Sequence, residues 1–172
     1  NNYICGCVAT AMAQLMRYYD YPTAGIGTGS FDVVVDGVTT TLQTRGGDGT
    51  GGAYDWADMP YDPTFATDAQ RQAIGALTYD AGLSVNMDYT ATFSGAYTLG
   101  AGALRTVFGY SNAIRGGNGY QPITTSLADM INPNLDAGLP VVLGISGYVG
   151  AHAILTDGYG YQGTRQYHHL NM

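Results

Sequence analysis

The chain carries near its start the segment GCVATAMAQLMRYY, residues 6–19. Apolar side chains recur in it at the three- and four-residue spacing of one helix face. The members of this stripe are Val8, Met12, Leu15, Met16 and Tyr19. The pattern predicts a helix over residues 8–19 that begins at Cys7, directly after Gly6, and is closed by Pro22.

Cys7 therefore stands at a predicted helix start. A helix N-terminus carries about half a positive charge and unpaired N–H groups. Both favour a thiolate, which is the nucleophilic form of cysteine, and the same N–H groups can hold an oxyanion. Gly6 leaves room for a substrate to approach the sulfur. A cysteine on a helix is also often a small buried hydrophobic residue, so position alone leaves both interpretations open.

The composition excludes several classes of protein. The 172 residues fit one domain with a single hydrophobic core. A net charge of −7, with six arginines and no lysine, argues against binding nucleic acid, because phosphate neutralisation needs clustered basic residues. No stretch approaches the roughly 18 apolar residues that a membrane-spanning helix needs. Low charge (11%) with 26 glycines and 15 tyrosines is more typical of a secreted bacterial protein than of a cytosolic one.

The two cysteines, Cys5 and Cys7, are separated by one residue. A disulfide across so short a loop would be strained. The pair makes no disulfide framework, and no second Cys/Cys or Cys/His pair completes a zinc site. Either both are inert buried thiols or one of them has a chemical role.

The rest of the chain predicts helices first and an antiparallel sheet later, an α+β layout. Asp36-Gly37 is a turn signal within a hairpin over residues 31–42, and a capping box of Thr67 and Gln70 starts a helix over 68–81 that Gly82 ends. Glycine-rich sequence predicts a flexible loop over 44–53 and irregular segments over 84–100 and 109–122. Further helices are predicted over 101–108 and 124–137, the second containing Pro133, and strands over 140–146, 152–156 and 166–171.

His152 is the candidate general base, because it opens a predicted core strand that would hold the imidazole rigidly. It is also compatible with a core histidine bonded to the backbone. His168 and His169 are adjacent on a strand and face opposite sides, so both are interpreted as structural. His152 follows Cys7 by 145 residues, an interval found in papain-like thiol proteases, although the papain signature around the cysteine is missing.

Longer motifs carry a more specific resemblance. Residues 6–19 and the following Tyr21-Pro22 resemble the active-site helix of the streptopain family of secreted bacterial cysteine endopeptidases, distant relatives of papain. Further matching segments lie in the same order along nearly the whole chain: 54–56 (YDW), 82–89 (GLSVNMDY), 108–110 (FGY), 140–141 (PV), 150–153 (GAHA), 157–158 (DG) and 167–171 (YHHLN).

The resemblance implies a papain-like α+β fold in which the N-terminal helix packs against a C-terminal antiparallel sheet. It implies Cys7 as nucleophile and His152 as its partner, with no metal or cofactor. Asn171 is a candidate to orient the imidazole, or else an ordinary strand-end residue. Asn1 and Asn2 fall near an oxyanion-hole position of papain relatives. The implied context is extracellular, with protein or peptide substrates, synthesis with an N-terminal propeptide, and no nucleic-acid or membrane partner.

The chain also departs from the family. The family domain extends further at both ends, and a tryptophan stands where this chain has Met172. Residues 1–172 are therefore interpreted as one incomplete peptidase catalytic domain. The alternative is a catalytically inactive secreted module, derived from such a peptidase, that binds peptide or glycan in a Tyr- and Gly-rich groove. A catalytic Cys7 would be alkylated much faster than Cys5, whereas an inactive module would not distinguish the two thiols.

Overall fold

The computed structural model describes residues 3–116, 125–148 and 150–171, and Asn1, Asn2 and Met172 lie outside that range. Within it the chain forms four α-helices and seven β-strands. The helices are α1 (Cys7–Tyr19), α2 (Asp68–Ser84), α3 (Ala101–Thr106) and α4 (Thr125–Asp136). The strands are β1 (Ser30–Val35), β2 (Val38–Gln43), β3 (Asp88–Tyr89), β4 (Ser94–Gly95), β5 (Val141–Gly147), β6 (Gly150–Gln162) and β7 (Arg165–Asn171).

Helix α1 lies at the centre of the main hydrophobic core. It packs against α2 on one side and against β6 on another. Its buried side chains are mostly small: Val8, Ala9, Ala11, Met12, Ala13 and Met16. The helix ends where Asp20 adopts a left-handed conformation (φ 45°), ahead of Pro22. The predicted helix is confirmed, and its small side chains let neighbouring backbones approach closely.

The first sheet has the strand order β2-β1-β3-β4. Strands β1 and β2 form the predicted hairpin, with Asp36 and Gly37 at positive φ (49° and 81°) as a tight hairpin turn requires. Strand β3 then pairs parallel to β1, and β4 pairs antiparallel to β3 at the sheet edge. The prediction that residues 84–100 are irregular is wrong at the four residues that form β3 and β4: Asp88, Tyr89, Ser94 and Gly95. Two-residue strands lack the alternating pattern by which sequence reveals a strand.

The second sheet has the order β5-β6-β7, with both pairs antiparallel. All three strands were predicted, although β6 is longer than expected. One face carries Leu143 and Ile154, which pack with Ile131 of α4. The other face carries Ala153, which joins the core around α1. The predicted α+β arrangement, an N-terminal helix against a C-terminal antiparallel sheet, is confirmed.

A buried carboxylate fixes the loop that sequence predicted to be flexible. Asp80 of α2 is fully buried and accepts hydrogen bonds from the backbone N–H groups of Arg45 and Gly46, each at 2.8 Å, and from the Tyr54 hydroxyl at 2.7 Å. Asp48 accepts from two further N–H groups of the same loop. Residues 44–53 therefore have a defined hydrogen-bonded form.

Gly82 does not end α2, contrary to the sequence prediction, because the helix continues to Ser84. The glycine is needed for packing: a Cβ atom there would lie 2.0 Å from the Tyr89 hydroxyl oxygen and 3.7 Å from the Ala9 Cβ. Its missing side chain lets β3 approach α2.

Gly82→Ala is expected to destabilise the protein by about 1–3 kcal/mol, because overpacking against Tyr89 exceeds the helix-propensity gain of about 1 kcal/mol. Tyr89→Phe in the same background removes the closest atom and should recover most of the loss. Gly75→Ala, in the same helix, is the matched control, since a Cβ there meets nothing within 4 Å and should be neutral or stabilising. Urea unfolding measures all four proteins; equal effects at Gly82 and Gly75 would contradict the packing role.

Candidate active site

Cys7 is the first residue of α1, with Gly6 as the N-cap. Its side chain is half-buried and packs against the main core. Among the described residues, none accepts a hydrogen bond from the N–H groups of Cys7 or Val8. The sulfur therefore sits beside free N–H donors at the positive end of the helix, an arrangement that suits both a thiolate and an oxyanion.

Gly6 has a different role from the one that sequence suggested. Its φ and ψ (84° and 148°) lie in a region that is essentially restricted to glycine. A Cβ there would lie 2.8 Å from the Met87 sulfur and 3.2 Å from the Ser94 carbonyl oxygen. The space beside Gly6 is thus occupied by the protein itself. This close contact brings the segment from β3 to β4 alongside the cysteine.

Cys5 lies just before the helix and is exposed. Its sulfur is 3.3 Å from the hydroxyl oxygen of Thr10, which donates in turn to the Gly6 carbonyl. It also lies near Tyr89: burial, followed by the charges of ionised Cys5 and Tyr79, raises the pKa of Tyr89 to about 12. Both cysteines are free thiols.

His152 is the third residue of β6, as predicted for a strand position, and pairs with Ile145 of β5. The next residue, Ala153, is buried in the same core as Val8 and Ala9 of α1. Strand alternation places the exposed His152 on the face opposite Ala153. Strand β6 contacts α1 through Ala153, whereas the His152 side chain lies on the other face of the strand, and no hydrogen bond among the described residues joins Cys7 to His152. The catalytic pair stays a prediction.

The two histidines interpreted as structural, and the predicted orienting residue Asn171, lie on β7. His168 Nε2 is 3.0 Å from Asn132 Oδ1 of α4, whereas His169 Nδ1 is 2.6 Å from Asp157 Oδ1 of β6. Asn171 stands opposite Leu155, three residues along β6 from His152, and its amide donates to Asp157 Oδ2 at 2.8 Å. No described hydrogen bond links Asn171 to His152, so its orienting role also stays a prediction.

Asp157 belongs to the segment 157–158 that resembles a turn of the streptopain family, but the sequence pattern predicts no role for it. Burial acts to raise its pKa, but hydrogen bonds from His169 and Asn171 outweigh that effect and hold the pKa below its usual value. One sequence signal could have indicated these contacts of Asp157: His169 and Asn171 stand at alternate positions of the neighbouring predicted strand and therefore share one face of it.

A family model of the Peptidase C10 family matches residues 1–172, the whole chain. The chain belongs to the Peptidase C10 family. The resemblance to streptopain-type cysteine peptidases is thereby confirmed.

Several C10-type relatives are named as proteases. The chain is 29% identical to streptopain of Streptococcus pyogenes over 96% of its own length and 32% identical to the thiol protease/hemagglutinin PrtT of Porphyromonas gingivalis over 92%. These alignments span only 42% and 18% of the relatives' lengths. The active interpain A cysteine protease of Prevotella intermedia superposes with a TM-score of 0.76 at 30% identity, covering 92% of this chain and 67% of that one. The papain-like fold is thereby confirmed.

Metal-binding clusters and membrane-spanning helices are both absent from the ranges that the structure describes. No group of three or more His, Cys, Asp or Glu side chains is arranged to hold a metal ion there. No helix in those ranges has the length and apolar character needed to cross a bilayer.

Proposed function

We propose that this protein is a cysteine endopeptidase that hydrolyses peptide bonds of protein substrates through Cys7 and His152. The observation that carries the proposal is the position of Cys7 at the N-terminus of α1, the helix that packs against the strand bearing His152. The proposed pair also requires the His152 side chain to turn from the other face of that strand toward Cys7. Membership of the C10 family and the protease names of the relatives support it.

In the proposed reaction His152 accepts the proton of the Cys7 thiol. The thiolate attacks the carbonyl carbon of the scissile bond, and the N–H groups of Cys7 and Val8 stabilise the oxyanion that forms. The tetrahedral intermediate collapses to a thioester as His152 gives its proton to the departing amine. Water, deprotonated by His152, then attacks the thioester, releases the acid product and restores the Cys7 thiol.

The biological setting is part of the proposal. One solved structure similar to this chain is a fragment of prointerpain A, a precursor by name, with a TM-score of 0.71. We infer that this chain is likewise made with an N-terminal propeptide, is secreted, and acts on extracellular protein or peptide. We infer that Asn171 orients the imidazole ring of His152. Because the Asn171 amide donates to Asp157 in this structure, that role requires a movement that breaks this hydrogen bond.

Thiol alkylation tests the proposed function. Cys5 is exposed and Cys7 is half-buried, so accessibility alone favours alkylation of Cys5. A catalytic thiolate reverses this order, and we expect iodoacetamide to label Cys7 at least about tenfold faster than Cys5. Casein cleavage under reducing conditions should disappear at the rate of Cys7 labelling.

Cys5→Ser serves as the matched control and should retain both casein cleavage and fast labelling. Peptide mapping by mass spectrometry assigns the labelled residue. Slow or similar labelling of both thiols, with casein left intact, is the result expected of an inactive binding module and would contradict the proposal.

A further inference from the structure

The chain contains two cysteines, and they flank the single residue Gly6. Residues two apart have Cα atoms within about 7 Å of each other, at the upper end of the range that a disulfide spans. The Cys5 sulfur lies against Thr10, three residues after Cys7 and therefore on the same face of the first turn of α1. The second thiol is thus held beside the proposed nucleophile.

The two thiols also differ in a way that suits different roles. Cys7 lies at the helix N-terminus, where a thiolate is favoured, and thiolates are the form that peroxides oxidise. Cys5 lies outside the helix and is exposed, and its sulfur contacts the hydroxyl group of Thr10. Gly6 between them has no side chain that would separate the two sulfurs.

We propose that Cys5 is a resolving thiol that protects the active-site cysteine through a reversible Cys5–Cys7 disulfide. The proposal rests on the assignment of Cys7 as the nucleophile. A peroxide oxidises the Cys7 thiolate to a sulfenic acid: the sulfur attacks one peroxide oxygen, the O–O bond breaks, and water is the other product. The Cys5 thiol then attacks the Cys7 sulfur, an S–S bond replaces the S–O bond, and a second water leaves.

The short loop determines how this disulfide behaves. A bridge across one residue is strained, and strained or exposed disulfides are the ones that are readily reduced. A low-molecular-weight thiol therefore restores both cysteines by two successive thiol–disulfide exchanges. In the oxidised state Cys7 has no free thiolate, so peptide cleavage stops. Without Cys5, the sulfenic acid remains exposed to further oxidation to sulfinic acid, which is not reversed by thiols.

The test compares wild type, Cys5→Ser and Cys7→Ser after treatment with hydrogen peroxide. Mass spectrometry measures the mass of each intact protein, and dimedone, which reacts with sulfenic acid, is the probe for that intermediate. Wild type should lose about 2 Da as a monomer and take up little dimedone. Cys5→Ser should form the dimedone adduct when dimedone is present and gain about 32 Da, the mass of two oxygen atoms, when dimedone is left out. Cys7→Ser should do neither. Dithiothreitol added after peroxide should restore at least about fivefold more casein cleavage in wild type than in Cys5→Ser.

A wild type that acquires sulfinic acid as fast as Cys5→Ser, or that forms disulfide-linked dimers instead, would overturn the inference. The mass readout separates this outcome from failure of the proposed function. If Cys7→Ser still cleaves casein while wild type forms the internal disulfide, the nucleophile assignment fails and the pairing of the two thiols stands.

Discussion

His152→Ala is expected to lower kcat/KM for peptide cleavage by about 10³- to 10⁴-fold, the range of a lost general acid–base that also maintains the nucleophile. The loss should fall mainly on kcat, because His152 moves protons and does not hold the substrate. The rate of Cys7 alkylation near neutral pH should fall with it, since the imidazole no longer accepts the thiol proton. The melting temperature should change little, because the His152 side chain is exposed and makes no described hydrogen bond.

His169→Ala is the matched control. His169 is also exposed on the same sheet, but its ring contacts Asp157 on β6. Its removal should leave kcat/KM within about twofold of wild type, as expected for an exposed surface pair that is assigned no role in proton transfer. Similar losses for the two variants, or a His152→Ala enzyme that retains full alkylation and cleavage rates, would contradict the assignment of His152.

Asp80→Ala is expected to cause the largest loss of stability, at least about 3 kcal/mol. It leaves two backbone N–H groups and the Tyr54 hydroxyl buried without their acceptor, and each such group costs roughly 1–3 kcal/mol. Burial raises the pKa of Asp80 and also that of Tyr54, so the Tyr54 hydroxyl remains a neutral donor. For a chain of this size the melting temperature should fall by roughly 6–12 °C.

Asp68→Ala, at the start of the same helix, provides the comparison. The Asp68 side chain is 94% exposed and forms an ion pair with Arg71 one turn along the helix. A surface pair of this kind contributes about 1 kcal/mol or less. Differential scanning calorimetry of the two variants measures the contrast, and an Asp80→Ala protein as stable as Asp68→Ala would show that the loop is not held by this carboxylate.

The features that could be predicted from sequence are determined by residues that lie close together along the chain. The start and end of α1, the Asp36-Gly37 hairpin and the three C-terminal strands follow from local spacing and turn chemistry, and the structure confirms them. The role of Gly82 could not be predicted in this way. A glycine near a helix end usually marks a stop, but here Tyr89, which follows seven residues later in another element, determines what the position needs.

The same distinction applies to buried polar groups and to the site. Asp80 follows Leu77 by three residues on the buried face of α2, and an acid on an apolar stripe is a readable signal. Its partners in the loop at residues 45–54 are not readable, because they depend on how that loop folds back. For the site, motif resemblance identified Cys7 and His152, but the distance between their reacting atoms depends on tertiary packing between α1 and β6.

The packing of α1 against β6 also has a consequence for the order of events during translation. Cys7 leaves the ribosome 145 residues ahead of His152, which at 5–20 residues per second is an interval of roughly 7–30 s. Throughout that interval the nascent chain carries Cys7 and the helix but lacks β6, the strand that packs against the helix and bears His152, the proposed base. If Cys7 and His152 act as proposed, synthesis of the chain therefore includes a delay during which neither the chain itself nor its neighbours can be cleaved by it.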